Sequence, residues 1–262
     1  MAVLSVNLNK VALIRNSRAG TTPSVVAAAK TVLAAGANGI TVHPRPDQRH
    51  IRPRDVTELA KLLNDYQDIE FNIEGNPFAG PRDNGYPGFD ALIESARPHQ
   101  ATLVPDSDDQ LTSDHGWDLT GDNERLNAAI ARYQQAGARV SLFIDPDEEQ
   151  IARVRDCGAD RIELYTGPYA ATVAEKGLHH DASKASWTRY LEAARYANQI
   201  GLGVNAGHDL DLVNLILFRE ITEIAEVSIG HALITDALEF GLTEAVTKYL
   251  AALSPASLPT HT

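Results

Sequence analysis

Hydrophobic residues in this chain alternate between two patterns. Short dense runs rich in β-branched residues occupy 3–8, 39–43, 69–74, 100–104, 139–144, 161–165, 203–205 and 226–229. Between them, apolar residues recur every three or four positions over 24–35, 53–64, 89–96, 123–136, 147–157, 184–200, 210–220 and 231–250, the last broken near Gly241. The first pattern predicts strands and the second amphipathic helices. Runs as continuous as Val140-Ser-Leu-Phe-Ile144 suit strands covered on both faces, as in parallel sheets.

Several helices close on glycine and lead straight into a strand: Ala35-Gly-Ala-Asn-Gly-Ile, Ala136-Gly-Ala-Arg-Val, Cys157-Gly-Ala-Asp-Arg-Ile and Ile200-Gly-Leu-Gly-Val. Glycine suits the residue after a helix, which often takes the left-handed conformation. This recurring unit predicts a (β/α)8 TIM barrel of α/β class, filling residues 1–253 as a single catalytic domain, with 254–262 a flexible tail. The rival is an open doubly wound sheet, but no Gly-x-Gly-x-x-Gly turn follows the first strand. Long connections at 9–23, 44–53, 75–88, 105–122 and 166–183 all follow strands, which marks the carboxyl rim as the functional face. The Gly/Pro-rich stretch 75–88 suits either a lid or an oligomer contact.

Polar side chains gather where the strands end: Asn7 and Asn9, His43 and Arg45, Glu74, Asp145, Glu163 and Thr166, Asn205 and His208, Gly230 and His231. One such residue would be a turn or a cap; repetition around the rim predicts a reactive mouth. Val204-Asn-Ala-Gly-His208 and Ser228-Ile-Gly-His-Ala232 each place glycine between a strand and a helix, where free amides and a helix N-terminus suit phosphate. Tight-turn glycine is the plainer reading of each. The run His43-Pro-Arg45-Pro-Asp-Gln-Arg49-His50 can hold phosphate through charge-assisted bonds, with Arg49 open to reading as a solvated residue. It makes a poor metal site, lacking cysteine and helical histidine spacing. His99, His115, His179, His180 and His261 fall in loops or tails and carry no expected chemistry. Lys10 is the lysine nearest a strand end, so a Schiff-base aldolase is disfavoured. Acid–base work falls to His43, Glu74 and His208, with Glu163 as a further carboxylate.

The formal charge of −12 over 262 residues disfavours nucleic acid and anionic membranes as partners, while a few local arginines still suit anionic small molecules. No run approaches the roughly 18 apolar residues of a membrane span. The single cysteine, Cys157, permits no internal disulfide and reads as a bystander thiol. Together with the absence of a signal-like start, this predicts a cytoplasmic protein.

The same residues carry a family resemblance. Val6-Asn-Leu-Asn-Lys-Val-Ala-Leu-Ile-Arg-Asn-Ser-Arg18, Ile40-Thr-Val-His-Pro-Arg-Pro-Asp-Gln-Arg-His-Ile51, Phe71-Asn-Ile-Glu74, Val140-Ser-Leu-Phe-Ile-Asp-Pro-Asp-Glu-Glu-Gln-Ile151, Ile162-Glu-Leu-Tyr-Thr-Gly167, Val204-Asn-Ala-Gly-His208 and Ile229-Gly-His-Ala232 resemble the pyridoxine 5′-phosphate synthase family. The resemblance implies condensation of 1-deoxy-D-xylulose 5-phosphate with 3-amino-2-oxopropyl phosphate to pyridoxine 5′-phosphate, phosphate and water. It implies no metal or redox cofactor, and a homo-oligomer, typically an octamer. By that resemblance His43, Glu74 and His208 are the acid–base residues and Glu163 a transition-state stabiliser. Arg45, His50 and Thr112 would hold the sugar phosphate; Asn7, Arg18, Gly230 and His231 the amino-ketone phosphate. Asn9, Lys10 and Asp209 join them as candidate substrate-binding positions.

Two departures stand out. Asn9-Lys10 replaces the family's usual Asp-His, and the segment before Glu74 is longer than usual and offers a second carboxylate, Glu70. Glu74 is preferred, since it keeps Asn-Ile-Glu and ends its strand. Two other classes remain open: a barrel isomerase or aldolase acting on a single sugar phosphate, and a phosphate-ligand binder without catalysis.

Overall fold

The eight dense runs are eight parallel strands: β1 (Val3–Asn7), β2 (Gly39–Val42), β3 (Glu70–Gly75), β4 (Gln100–Leu103), β5 (Arg139–Ile144), β6 (Arg161–Tyr165), β7 (Gly203–Gly207) and β8 (Ile224–Ile229). Each pairs with the next and β8 returns to β1, closing a barrel in sequence order and excluding the open sheet. This computed structural model describes residues 2–254. His261 and all but the first residue of the expected tail lie outside the described residues.

The helices are α1 (Asn9–Asn16), α2 (Val25–Ala34), α3 (Pro53–Leu63), α4 (Phe89–Ala96), α5 (Glu124–Gln135), α6 (Glu148–Asp156), α7 (Gly167–Lys176), α8 (Asp181–Gln199), α9 (Leu215–Phe218), α10 (His231–Phe240) and α11 (Leu242–Leu253). The break between the last two falls at Gly241, whose φ of 80° is left-handed. Three departures from expectation occur. The connections 9–23 and 166–183 are not plain loops but contain α1 and α7, whereas the helix expected over 210–220 shrinks to the four residues of α9.

The reasons are local. In α1 the apolar signal is mixed: Val11 and Ala12 are buried, Leu13 and Ile14 are exposed, and Arg15 is buried. The guanidinium of Arg15 donates to both oxygens of Asp55 on α3, at 2.5 and 2.9 Å, and to the His50 carbonyl at 3.1 Å. In α7 Gly167-Pro168 reads as a breaker, yet proline fits a first turn, where its missing N–H costs nothing.

The main apolar core lies between strands and helices, built by outward residues such as Leu4, Val6, Ile40, Val42, Phe71 and Ile73. The barrel interior is polar. Ser5 and Thr41 share a 2.8 Å bond, Thr102 donates to Asn72 at 3.1 Å, and Asn205 donates to Glu226 at 3.4 Å. Glu70 begins β3 and pairs with Arg139 at the start of β5, at the end opposite the mouth. Glu74, four residues on, lines the cavity at the mouth, and Glu70 does not. Among the described residues, no helix is long and apolar enough to cross a membrane.

Candidate active site

A cavity of about 340 Å³ opens at the carboxyl ends of the strands. It is lined by Asn7, Asn9, Lys10, His43, Arg45, His50, Glu74, Thr112, Glu163, His208, Asp209, Gly230 and His231. Of the acid–base and substrate-binding candidates, only Arg18 is absent from this lining; it lies exposed past the end of α1. Asn205, Asp145 and Thr166 also end strands without reaching the cavity. Asn205 bonds Arg161 inside the barrel, Asp145 accepts from the Gly116 amide at 3.0 Å, and Thr166 donates to the Gly207 carbonyl at 2.7 Å.

Polar side chains of the cavity converge from β1, β2, β3 and β6. Asn7 Nδ2 donates to Glu74 Oε2 at 3.3 Å, and His43 Nδ1 lies 3.9 Å from the same oxygen. Asn9 has a structural contact of its own: its Oδ1 accepts from the His43 amide at 2.9 Å and fixes the start of that loop. Burial pushes Glu74 up to about 8, reinforced by the Asp106 and Glu226 carboxylates and opposed by Arg45. Burial, with Glu74 nearby, raises Glu163 as well, and its Oε2 has no protein partner. Burial and then Arg45 lower His43, keeping that imidazole neutral. Burial thus favours the protonated form of both carboxyls and the neutral form of the His43 imidazole, a combination suited to proton transfer. Gly207 makes room for Glu163, since a Cβ there would lie 2.3 Å from Glu163 Oε1.

His208 stands differently from expectation. Because α9 begins only at Leu215, no helix N-terminus meets His208. The residue sits instead in a left-handed turn, with φ of 86° at His208 and 59° at Asp209. Its Nδ1 meets Asp209 Oδ2 at 3.0 Å and its Nε2 meets Thr112 Oγ1 at 2.7 Å. The bond to His208 holds the Asp209 carboxyl below its usual value.

Two ends of the cavity suit anions. At one, Arg45, Arg49, Lys10 and His50 cluster. Burial, then Arg45, Lys10 and Arg49, lower His50 to about 3. Its Nδ1 accepts from the Ile51 amide at 2.9 Å, which leaves the Nε2 proton free to donate into the cavity. At the other end α10 starts at His231 with no side-chain cap on Gly230, so its first amides are open to an anion. Gly230 packs against Asn7, whose Cβ would be 3.0 Å from an added Cβ. Of the two glycine loops, only the one after β8 combines glycine with a helix start.

Arg49 is not the solvated residue it could have been. It donates to the carbonyls of Gln110, Leu111 and Asp108, tying the β4 loop across the mouth. The stretch 75–88 seats on its neighbours through Asn84 to Pro46, Arg82 to Asp108 and Asn76 to the Asp106 carbonyl. Sequence reasoning missed Asp106 and Ser113. Asp106 follows β4 by three residues, and applying the strand-end criterion to that strand would have found it. Cys157 caps α6, buried, with its thiol pushed up by burial and Asp156. His99 and His180 accept backbone amides from Phe71 and Ala182, and His115 meets Asp114.

Comparison with known proteins follows the same residues. A family model described as "Pyridoxal phosphate biosynthesis protein PdxJ" matches residues 4–255. A protein of Xanthomonas campestris pv. campestris named pyridoxine 5′-phosphate synthase is 54% identical over 252 residues, covering 96% of each chain. One of the same name from Albidiferax ferrireducens is 53% identical, covering 94% of this chain and 95% of that one. Solved structures share the fold at low identity. KGPDC from Streptococcus mutans matches at 11% identity and a TM-score of 0.61, covering 97% of both chains. TrpF from Jonesia denitrificans matches at 17% and 0.55, again covering 97% of both.

Proposed function

Since the chain belongs to the PdxJ family, we propose that it is a pyridoxine 5′-phosphate synthase, joining 1-deoxy-D-xylulose 5-phosphate to 3-amino-2-oxopropyl phosphate in vitamin B6 biosynthesis. The observation that carries this reading is one cavity that gathers the Arg45, Arg49, Lys10 and His50 cluster, the uncapped start of α10, and His43, Glu74 and Glu163. A condensation of two phosphorylated partners needs that layout; an isomerase acting on one sugar phosphate needs only one anion site.

The chemistry divides among residues as follows. Arg45, His50 and Thr112 hold the sugar phosphate. Asn7, Gly230, His231 and the open amides of α10 hold the amino-ketone phosphate. The substrate's own amine forms the imine, so no lysine nucleophile is required. His43 and His208 take up and return protons, and protonated Glu74 gives one to a departing hydroxyl. Glu163, kept protonated, donates from the barrel floor to an oxygen that gains charge in the transition state. Lys10 adds positive charge beside His50 and Asp209, and Asn9 removes the negative charge of the family's aspartate, so both changes make the site more attractive to phosphate.

The same reading makes the protein a cytoplasmic homo-oligomer, an octamer by likeness to the family. Exposed Leu13 and Ile14 on α1 and Leu238 and Phe240 on α10 support an interface. Arg18 enters the site only from a neighbouring copy or by movement of residues 17–20.

Mixing purified protein with both substrates should yield pyridoxine 5′-phosphate at an ordinary rate with Asn9-Lys10 intact, and neither substrate alone should react. Turnover of one substrate alone would favour the isomerase or aldolase. Thermal stabilisation by both without product would favour the binder. Arg45→Ala should raise the KM for the sugar phosphate about tenfold or more, because charge-assisted bonds contribute about 1.5–3 kcal/mol. An unchanged KM at fixed ionic strength would remove Arg45 from the phosphate site.

A further inference from the structure

The carboxylate of Asp106 is paired with Arg45, one of the cationic side chains that line the cavity, and its charge has the same sign as a phosphate's. Arg45 Nη2 donates to Asp106 Oδ2, and Ser113 Oγ donates to the same oxygen at 2.7 Å. The pair is deeply buried, with side chains 6% and 4% exposed for Arg45 and Asp106. Asp106 Oδ1 has no protein partner.

This differs from the other buried arginine–carboxylate pair nearby. Arg15 and Asp55 meet as a fork, two nitrogens on two oxygens, and the carboxylate also accepts from the Arg52 amide at 2.8 Å. Such a pair is fully used by the fold. Arg45 and Asp106 meet at one point, and Arg45 also donates to the Gln110 carbonyl at 3.3 Å. A guanidinium carries five N–H donors, so Arg45 keeps donors for a further anion. Asp106 lines a separate cavity of about 90 Å³, shared with Arg45, Asn76 and Tyr86, which leaves space beside the half-bonded carboxylate.

We propose that Asp106 is a resident counter-anion of Arg45, which competes with a phosphate monoester or inorganic phosphate for that guanidinium and keeps phosphate from being held too tightly. Arg45, Arg49 and Lys10 surround one end of the cavity, and unopposed they would retain a phosphate dianion. A cycle that ends with phosphate-bearing products must let them go. The carboxylate at Arg45 lowers the attraction and retakes the guanidinium when phosphate leaves. Because Ser113, next to Thr112 on the same loop, donates to that same Asp106 oxygen, the exchange also reaches the segment that bonds His208 across the mouth.

The inference rests on the proposed phosphate role of Arg45, and one titration separates the two. Inorganic phosphate is titrated into the wild-type protein, Arg45→Ala and Asp106→Asn by calorimetry at constant ionic strength. Arg45→Ala should weaken binding; if it does not, the site reading fails. Asp106→Asn should bind phosphate about tenfold or more tightly, as expected from removing a like charge at close range. The same variant should be inhibited by phosphate at correspondingly lower concentration during turnover. If Arg45→Ala weakens binding and Asp106→Asn leaves it unchanged or weaker, the counter-anion role alone is overturned. Removing the carboxylate leaves a buried guanidinium unpaired, so Asp106→Asn is also refolded from denaturant in phosphate and in chloride at equal ionic strength. Higher yield in phosphate, by a margin the wild type lacks, supports the proposal; equal yields overturn it.

Discussion

Glu74→Gln should lower turnover by about 10²–10⁴-fold, the usual contribution of a general acid or base, and should also make the protein more resistant to unfolding at neutral pH. Both effects come from one environment. The carboxyl of Glu74 is faced by Asn7, His43 and Arg45 from β1 and the β2 loop, by Asp106 from the β4 loop, and by Glu163 and Glu226 from β6 and β8. Burial and the neighbouring carboxylates outweigh Arg45, and the group is pushed up to about 8. An unfolded chain ionises it near 4.5. Between those values the folded protein keeps a proton that the unfolded chain has lost. The stabilising proton uptake is complete below about 4.5 and is lost as pH rises through about 8. Each pH unit crossed costs the wild type up to about 1.4 kcal/mol, and glutamine removes that dependence. Melting temperatures of both proteins from pH 5 to pH 8 should diverge with rising pH, the variant being the more stable. Parallel curves would show that Glu74 is ionised like an ordinary surface carboxylate and is no proton donor at pH 7.

The strands were the most legible part of the fold, with ends within two residues of expectation. Outward residues such as Ile40, Val42, Phe71 and Ile73 sit under helices and must be apolar. The signal failed where polar or exposed residues carry the structure. Arg15 is buried because Asp55 neutralises it, a partner distant in sequence, so α1 presented no apolar stripe. The polar barrel interior was equally hidden: Ser5, Thr41, Asn72 and Thr102 satisfy one another across strands, and no single strand shows that. At the site, residues directly after strands were readable because the barrel carries every strand end to one rim. Ser113 was not, since it comes from the middle of a long loop placed by Arg45 and Arg49. The helix expected beside His208 was the one wrong premise about a catalytic candidate. The apolar residues over 210–220 pack as turns around the four-residue α9.

That correction sharpens the expectation for His208→Asn, which should cut turnover by about 10²–10⁴-fold with little change in fold or substrate binding. With no helix dipole acting on it, the imidazole is set by its two bonds. Asp209 Oδ2 accepts at Nδ1, which assigns the ring proton there and leaves the Nε2 lone pair toward Thr112 and the cavity. The aspartate thus fixes ring orientation and tautomer, as a carboxylate does for a catalytic base. The ring is held further by Tyr165, edge-on with centroids 5.4 Å apart, and by Phe143 at 6.4 Å. Asparagine is the right replacement because the backbone at this position is left-handed, with φ of 86°. Asparagine tolerates that conformation better than most residues and still hydrogen-bonds, but it cannot carry a proton between substrate atoms. If His208 served only to shape the turn and latch Thr112, the variant would keep near-normal turnover. Single-turnover rates with both substrates saturating, together with melting temperature, distinguish the two cases. A stable His208→Asn protein within about threefold of wild-type rate, far inside the range for lost proton transfer, would remove His208 from the acid–base set.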